Sequence, residues 1–328
     1  MPQQGGGPAR LYPGGQAHVS GPPGHAVTLG LAEGYRALRS GDAFVQVGRD
    51  VIRVRGPDAA DYLHGQLSQD IMAVIVGQSA WSLILQPQGK VDALVRVTRV
   101  AGDDWLLDTD GGSGDAVVAR LQRFKLRVKA EIEQLDWRCL RTLLPAPLAP
   151  DERAGDGVAQ EQDHEQEVAF DWPPLRGTDL LGEAIEQPGG RAEAPPAAWE
   201  VLRIEAGIPA MGAELTDRTI PAEAGIVDRT VSFTKGCFTG QELVARIDSR
   251  GGNVPRHLRG LTIEGEPPAV GTAIEVEGKE VGSITSVAHH PDGHAVALGY
   301  VRRDVVVPAE ARLAGGAVAR IAALPLLS

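Results

Sequence analysis

The spacing of apolar residues changes character along the chain, and each change marks a different kind of element. Residues 43–55, AFVQVGRDVIRVR, hold two period-two runs around Gly48-Arg49-Asp50, which predicts two short strands joined as a hairpin. In GPDAADYLHGQLSQDI, Asp58 is a helix cap candidate, and Tyr62, Leu63, Leu67 and Ile71 fall on one face of a helix or helical turns. Trp81–Leu85 and Val91–Val100 flank the turn Gln86-Pro87-Gln88-Gly89-Lys90 and read as paired strands. Trp105–Asp108 predicts a strand, Asp115–Phe124 a helix, Leu126–Ile132 the approach to a strand and Trp137–Leu144 a strand. Ala169–Asp171 reads as an edge strand, and 172–196 as loop, because prolines and glycines crowd it. Ala197–Ala206 is helical, closed by Gly207 and Pro209.

From His257 the texture becomes short strands with tight turns: Arg259–Ile263, Ala273–Val276, Glu280–Ala288, Ala295–Val301, Ala311–Leu313 and Val318–Ala322. Glu277-Gly278-Lys279 and Gly315-Gly316 supply hairpin turns, so this part predicts a small β-barrel or jelly roll. Residues 1–25 are Gly/Pro-rich and read as a flexible tail.

The chain has 328 residues, 43% hydrophobic and 23% charged, which suits two or three globular domains. Its net charge of −11 argues against direct nucleic-acid binding. Residues 151–167 hold seven acids and one arginine, a solvated acidic loop. The two cysteines, Cys139 and Cys237, lie far apart without a CxxC pair, so no complete metal site is encoded. Cys139 sits in an alternating run and reads as core. His289, His290 and His294 surround a Pro-Asp-Gly turn, which reads as a loop and gives no reason to expect a metal. No apolar run reaches the ~20 residues of a spanning helix, and the N-terminus lacks a signal-peptide pattern, so a cytoplasmic protein without membrane partners is expected.

The densest chemistry lies in Val231–Arg250, VSFTKGCFTGQELVARIDSR. Cys237 occupies a turn bracketed by Gly236 and Gly240, and Lys235 lies two residues upstream. Thr239 and Glu242 have capping-box spacing, so a helix starts at Gly240; Leu243, Val244 and Ile247 form its apolar face, and Glu242 and Arg246 an i,i+4 pair. A thiol before a helix N-terminus and beside a lysine is expected to be acidified, hence nucleophilic or metal-seeking. A small buried hydrophobe is the alternative for any free cysteine.

KGCFTGQE resembles the K-G-C-[YF]-x-G-Q-E signature of the YgfZ family of folate-binding proteins, whose mitochondrial relatives assist iron–sulfur cluster assembly. That family is related to the T-protein of the glycine cleavage system, an aminomethyltransferase. Three further stretches carry the resemblance. YLHGQLSQDI is similar to the family's F-L-x-G-Q-L-[ST]-x-D-[VI]; this implies that Gln66 and Asp70 line a central folate channel, although helical spacing alone leaves them as solvated side chains. RFKLR is similar to R-[YF]-x-L-R, which implies an inward or interdomain role for Arg127, otherwise a surface charge. Trp199 with Arg203–Pro209, RIEAGIP, is similar to W-x-x-x-R-[LI]-E-A-G-[IVL]-P; its glutamate, here Glu205, binds the pterin in T-proteins. A carboxylate suits that task because the pterin's N3–H and 2-amino group form a guanidine-like pair of donors. Asp92 stands where T-proteins have an aspartate pair, but Ala93 follows it, which counts against aminomethyl transfer; Asp92 is a folate contact or a turn residue.

The resemblance implies an α+β, T-protein-like multi-lobed body enclosing a central channel, with a C-terminal β-barrel. The expected division is a tail over 1–25, a folate-binding body over 26–252 (26–134 plus 197–252 as one lobe, 135–196 as the other) and a barrel over 253–328. The implied function is a tetrahydrofolate-binding accessory role in iron–sulfur cluster assembly or repair, including the clusters of tRNA-modifying enzymes. Folate and client or assembly proteins are then its partners. Cys237 and Lys235 carry the chemistry, Glu205, Gln66, Asp70, Asp92 and Arg127 hold the cofactor, and Gly236, Gly240, Gln241, Glu242 and Arg246 shape the signature turn. The rivals are a folate-dependent aminomethyltransferase or other one-carbon transferase, and a binding module in which Cys237 is inert.

Overall fold

The computed structural model describes residues 28–145 and 164–327. The proposed tail and most of the acidic loop lie outside them. Helix α1 (Leu31–Ser40) leads to β1 (Ala43–Val47) and β2 (Arg49–Arg55), then α2 (Ala59–Gln66), β3 (Ser79–Leu85), β4 (Val91–Ala101), β5 (Asp104–Asp110), α3 (Gly114–Phe124) and β6 (Glu131–Leu135). Next come β7 (Arg138–Leu143), β8 (Glu165–Trp172), β9 (Leu175–Gly182), β10 (Ala192–Glu193), α4 (Pro196–Glu205), α5 (Val227–Thr230) and α6 (Gln241–Asp248). The last six strands are β11 (Arg256–Ile263), β12 (Ala273–Val276), β13 (Lys279–His289), β14 (Ala295–Arg302), β15 (Ala309–Leu313) and β16 (Val318–Ala322).

These strands form two five-stranded sheets, ordered β10-β1-β7-β9-β8 and β3-β4-β5-β2-β6, and a closed barrel, β11-β14-β13-β12-β15-β16. The fold is thus α+β with a C-terminal barrel, as expected. Two expectations fail. The strands over 43–55 do not pair with each other: β1 joins β7 and β10, while β2 joins β5 and β6. Within 172–196 the loop reading missed β9, an interior strand between β7 and β8. Pro173-Pro174 is the turn of the β8–β9 hairpin, so the prolines punctuate strands rather than replace them.

Apolar faces follow the predicted periods. Ile52, Leu63, Leu67, Trp105, Val117 and Leu121 pack α2 and α3 onto one sheet. A larger cluster, including Leu38, Leu83, Trp172, Trp199, Leu202 and Leu298, joins both sheets, α1, α4 and the barrel wall. The barrel interior has its own apolar filling, including Leu261, Ile274 and Ile321.

A buried ionic chain ties the two sheets together. Arg49 pairs with Asp108 and Asp110, both at 2.6 Å; Arg96 pairs with Asp108 at 2.9 Å and with Asp179 at 2.7 Å; Arg141 pairs with Asp179 at 2.6 Å. Arg49, Arg96, Asp108 and Asp110 belong to one sheet, Asp179 and Arg141 to the other. Arg141 and Arg96 hold the Asp179 carboxyl far below the usual range despite its burial. Such a network adds little net stability over apolar packing, but removing one partner leaves a buried charge uncompensated.

Candidate functional site

The signature turn is built from both sides. Phe238 is buried in the large apolar cluster, while Cys237 is exposed. The ammonium of Lys235 donates to the backbone carbonyls of His64, Leu67 (2.6 Å) and Gln69 (3.2 Å). Those carbonyls lie at the C-terminal end of α2 and just beyond it, where helix geometry leaves acceptors without intrahelical donors. Burial pulls the Lys235 pKa down to about 8. An ammonium has three N–H donors, and three carbonyls take them. With its donors taken by these carbonyls, Lys235 pins the turn to α2.

The other anchor is a contact between two glycines. Gly240, with φ +81°, precedes α6; a Cβ there would lie 2.5 Å from the carbonyl oxygen of Gln86 and 2.9 Å from Leu85 Cβ. Gly89, with φ +72°, lies in the β3–β4 turn and faces back; a Cβ there would lie 2.7 Å from Leu243 Cβ. Both the conformation and the approach demand residues without side chains. Gly236 differs: a Cβ there would meet nothing within 4 Å, so packing does not require it. Helix α6 starts after Gly240 as expected, with Val244 buried, but no side chain caps it. Gln241 N donates to the Phe238 carbonyl (3.3 Å), and Glu242 and Arg246 meet at 3.6 Å as two exposed side chains.

Beside this turn the structure gathers Gln66, Asp92 and Arg120. Arg120 donates to Gln66 Oε1 (3.2 Å), Asp92 Oδ2 (3.3 Å) and the Leu85 carbonyl (3.4 Å). Asp92, Arg120, Arg123, Ile84 and three alanines border a cleft of about 350 Å³. Asp70 is not part of it. Helix α2 ends at Gln66, so the four-residue spacing does not put Gln66 and Asp70 on one helix face; Asp70 instead accepts from Met72 N (3.2 Å) and caps a single 3₁₀ turn. Arg127 is exposed, with φ 58°, and faces solvent rather than a channel wall.

Glu205 ends α4 and is buried. Its Oε2 accepts from Tyr35 Oη at 2.8 Å, and its Oε1 lies 3.4 Å from His290 Nε2. His290 Nδ1 accepts from the Asp292 N–H (3.2 Å), which leaves the proton of a neutral ring on Nε2, facing Glu205. Desolvation raises the Glu205 pKa, and with it that of Tyr35, to about 12 for the phenol. Leu326 N also donates to the Glu205 carbonyl at 2.6 Å. Glu205 thus stands where α1, α4 and the barrel meet, and its contacts share no residue with those of the Cys237 turn. Among the described residues, no group of three or more His, Cys, Asp or Glu is arranged to hold a metal ion.

No family model matches the chain. The tRNA-modifying protein YgfZ of Vibrio vulnificus is 29% identical over 280 residues, 81% of this chain and 85% of that protein. An aminomethyltransferase of Corynebacterium jeikeium is 27% identical over 305 residues, 78% and 77% of the two chains. A mitochondrial iron–sulfur cluster assembly factor, the IBA57 homologue of Chaetomium globosum, is 26% identical over 234 residues, covering 62% of this chain and 52% of that protein. Among solved structures, the glycine cleavage system aminomethyltransferase T of Bartonella henselae superposes with a TM-score of 0.77 at 22% identity, over 92% of this chain and 91% of the other. The chain has the T-protein fold. Its homologues include YgfZ and IBA57 proteins as well as aminomethyltransferases.

Within this T-protein fold, three residues were not read from the sequence as partners of the site: Arg120, Tyr35 and His290. Arg120 joins Gln66 to Asp92, but a lone arginine on an amphipathic helix carries no signal of its partners, which are 54 and 28 residues away. Tyr35 and His290 meet Glu205 from opposite ends of the chain, and only the shared junction brings them together.

Proposed function

We propose that this protein is an accessory factor in iron–sulfur cluster assembly or repair, serving clients that include tRNA-modifying enzymes, and that Cys237 is the group that meets the cluster or the client. The observation that carries this reading is an exposed thiol on a turn held at both ends, by Lys235 on α2 and by Gly240 against Gly89. A rigid, accessible cysteine suits a transient ligand or a mixed disulfide. In the first case the thiolate binds iron; in the second it attacks a disulfide sulfur and expels the other as thiolate. The remaining ligands of any cluster come from the partner, since Cys139 is buried.

Tetrahydrofolate is the proposed cofactor of the body, residues 26–252, and supplies a carrier for one-carbon units when bound. Glu205 fits a pterin chemically. It is a buried carboxylate that already faces two donors, Tyr35 Oη and His290 Nε2, and a pterin edge presents two donors as well. A pterin there replaces these contacts rather than adding to them. Gln66, Asp92 and Arg120 offer one acceptor, one acid and one cation beside a cleft whose lining does not include Glu205.

Aminomethyl transfer is the second reading, favoured by the aminomethyltransferase homologues. Against it, Asp92 is committed to Arg120 and its neighbour is the buried Ala93. Calorimetry with tetrahydrofolate, alongside reconstitution of a cluster-dependent client, separates the roles. Cys237→Ala is expected to keep folate affinity and lose client activation; Glu205→Gln is expected to lose folate affinity. Equal loss of folate affinity in both variants overturns this division, and turnover of an aminomethyl donor establishes the second reading.

A further inference from the structure

Residues 120–129, RLQRFKLRVK, contain five cations and no acid, in a chain whose net charge is −11. Arg120 is spent on Asp92, but Arg123, Arg127 and Lys129 are exposed and Lys125 is half-buried. Between them stand two exposed apolar side chains, Phe124 (41%) and Leu126 (81%). The backbone that presents them is held. Lys125 N bonds the Gln122 carbonyl at the end of α3, and Lys129 N donates to Asp58 Oδ2 at 2.7 Å. Arg127 sits between these ties at φ 58°, a left-handed conformation that strains a residue with a side chain. This segment therefore projects Leu126 outward on a fixed loop, and a fixed loop loses little entropy on binding.

The segment borders the Cys237 turn. Arg120 bonds the Leu85 carbonyl, and Leu85 Cβ is also the atom that Gly240 crowds; Arg120 bonds Gln66 of α2, and Lys235 holds the end of the same helix.

We infer that Arg123–Lys129 is the docking surface for a protein partner that presents an acidic segment with an apolar side chain, the leucine seated between basic neighbours. Charge complementarity selects the acid, and Leu126 supplies the apolar anchor. A nucleic acid fits less well. One face of the Phe124 ring is already covered by the Arg120 guanidinium, 3.8 Å from the ring centre, and the most exposed group is an aliphatic chain with no stacking face. The inference rests on the proposed accessory function for what the partner does, but not for its binding.

The test uses the full-length protein and fluorescence anisotropy with three probes: a labelled peptide of alternating Glu and Leu pairs, the same peptide with Gln for Glu, and a labelled tRNA transcript. The acidic peptide is expected to bind, and to bind less well as salt rises. The triple variant Arg123→Glu, Lys125→Glu, Arg127→Glu is expected to weaken it about tenfold or more, and Leu126→Ser several-fold. Cys237→Ala is expected to leave peptide binding unchanged, and the triple variant to leave the rate of Cys237 alkylation unchanged, so docking and thiol chemistry fail separately. Unchanged peptide affinity in the triple variant overturns the inference. So does equal binding of the Gln peptide, or tRNA binding that exceeds peptide binding and is lost in the same variant.

Discussion

The two cysteines of this chain occupy opposite environments. Cys139 lies in β7, buried, beside the ion pairs of Asp179 with Arg141 and Arg96; burial and the Asp179 charge push its thiol far up. Cys237 is exposed on a turn that two distant parts of the chain hold in place. Sheet register alone places the first. The second depends on an ammonium reaching α2 and on two glycines meeting. Access and anchoring, not residue type, decide which thiol is available for chemistry.

The largest expected effect is on alkylation. In the native protein Cys237 reacts with a thiol reagent, and Cys139 reacts only through opening of the sheet, slower by a factor on the order of 10³ or more. Two thiols titrating at similar rates without denaturant would erase the contrast. Asp179→Asn sharpens it from the buried side: Arg96 and Arg141 lose a shared counter-charge, with an expected cost of about 3–5 kcal/mol in urea unfolding and faster Cys139 labelling. On the exposed side, Gly240→Ala forces a Cβ against Gln86 at a left-handed φ and is expected to cost about 3 kcal/mol, changing Cys237 labelling but not that of Cys139.

Lys235→Met leaves three carbonyls without their donor, for about 1–3 kcal/mol. Its pH dependence has a definite sign. The folded lysine releases its proton near pH 8, the unfolded one near 10.5, so the unfolded chain binds more protons in between. Wild-type stability relative to Lys235→Met therefore rises as pH goes from 8 toward 10.5 and falls as pH returns to 8. Urea midpoints of both proteins across that range check it. The smallest effect belongs to Glu242→Ala, within about 0.5 kcal/mol, because its pair with Arg246 is 3.6 Å long and both side chains are exposed.

Short apolar runs made the barrel legible: β15 and β16 alternate, β14 is buried along nearly its whole length, and glycine-containing turns mark the hairpins. The helices α3, α4 and α6 were legible from the spacing of their apolar residues. Strand β9 was not, because it carries Gly177, Gly182 and the buried Asp179, residues that read as loop until Arg96 and Arg141 are seen to pair with the acid. The split of β1 from β2 was hidden too, since two adjacent strands look like a hairpin unless long-range pairing separates them. At the site, the spacing of KGCFTGQE located the turn and its helix, but neither destination of the Lys235 side chain nor the partners of Glu205 can be read from neighbours in sequence.

The meeting of Gly89 with Gly240 also bears on biogenesis. The β3–β4 hairpin leaves the ribosome well before the loop that must nest against it, so the Cys237 side chain has no fixed position until that loop follows. A chain that ends at residues 237–239 would carry the thiol without the glycine that seats it.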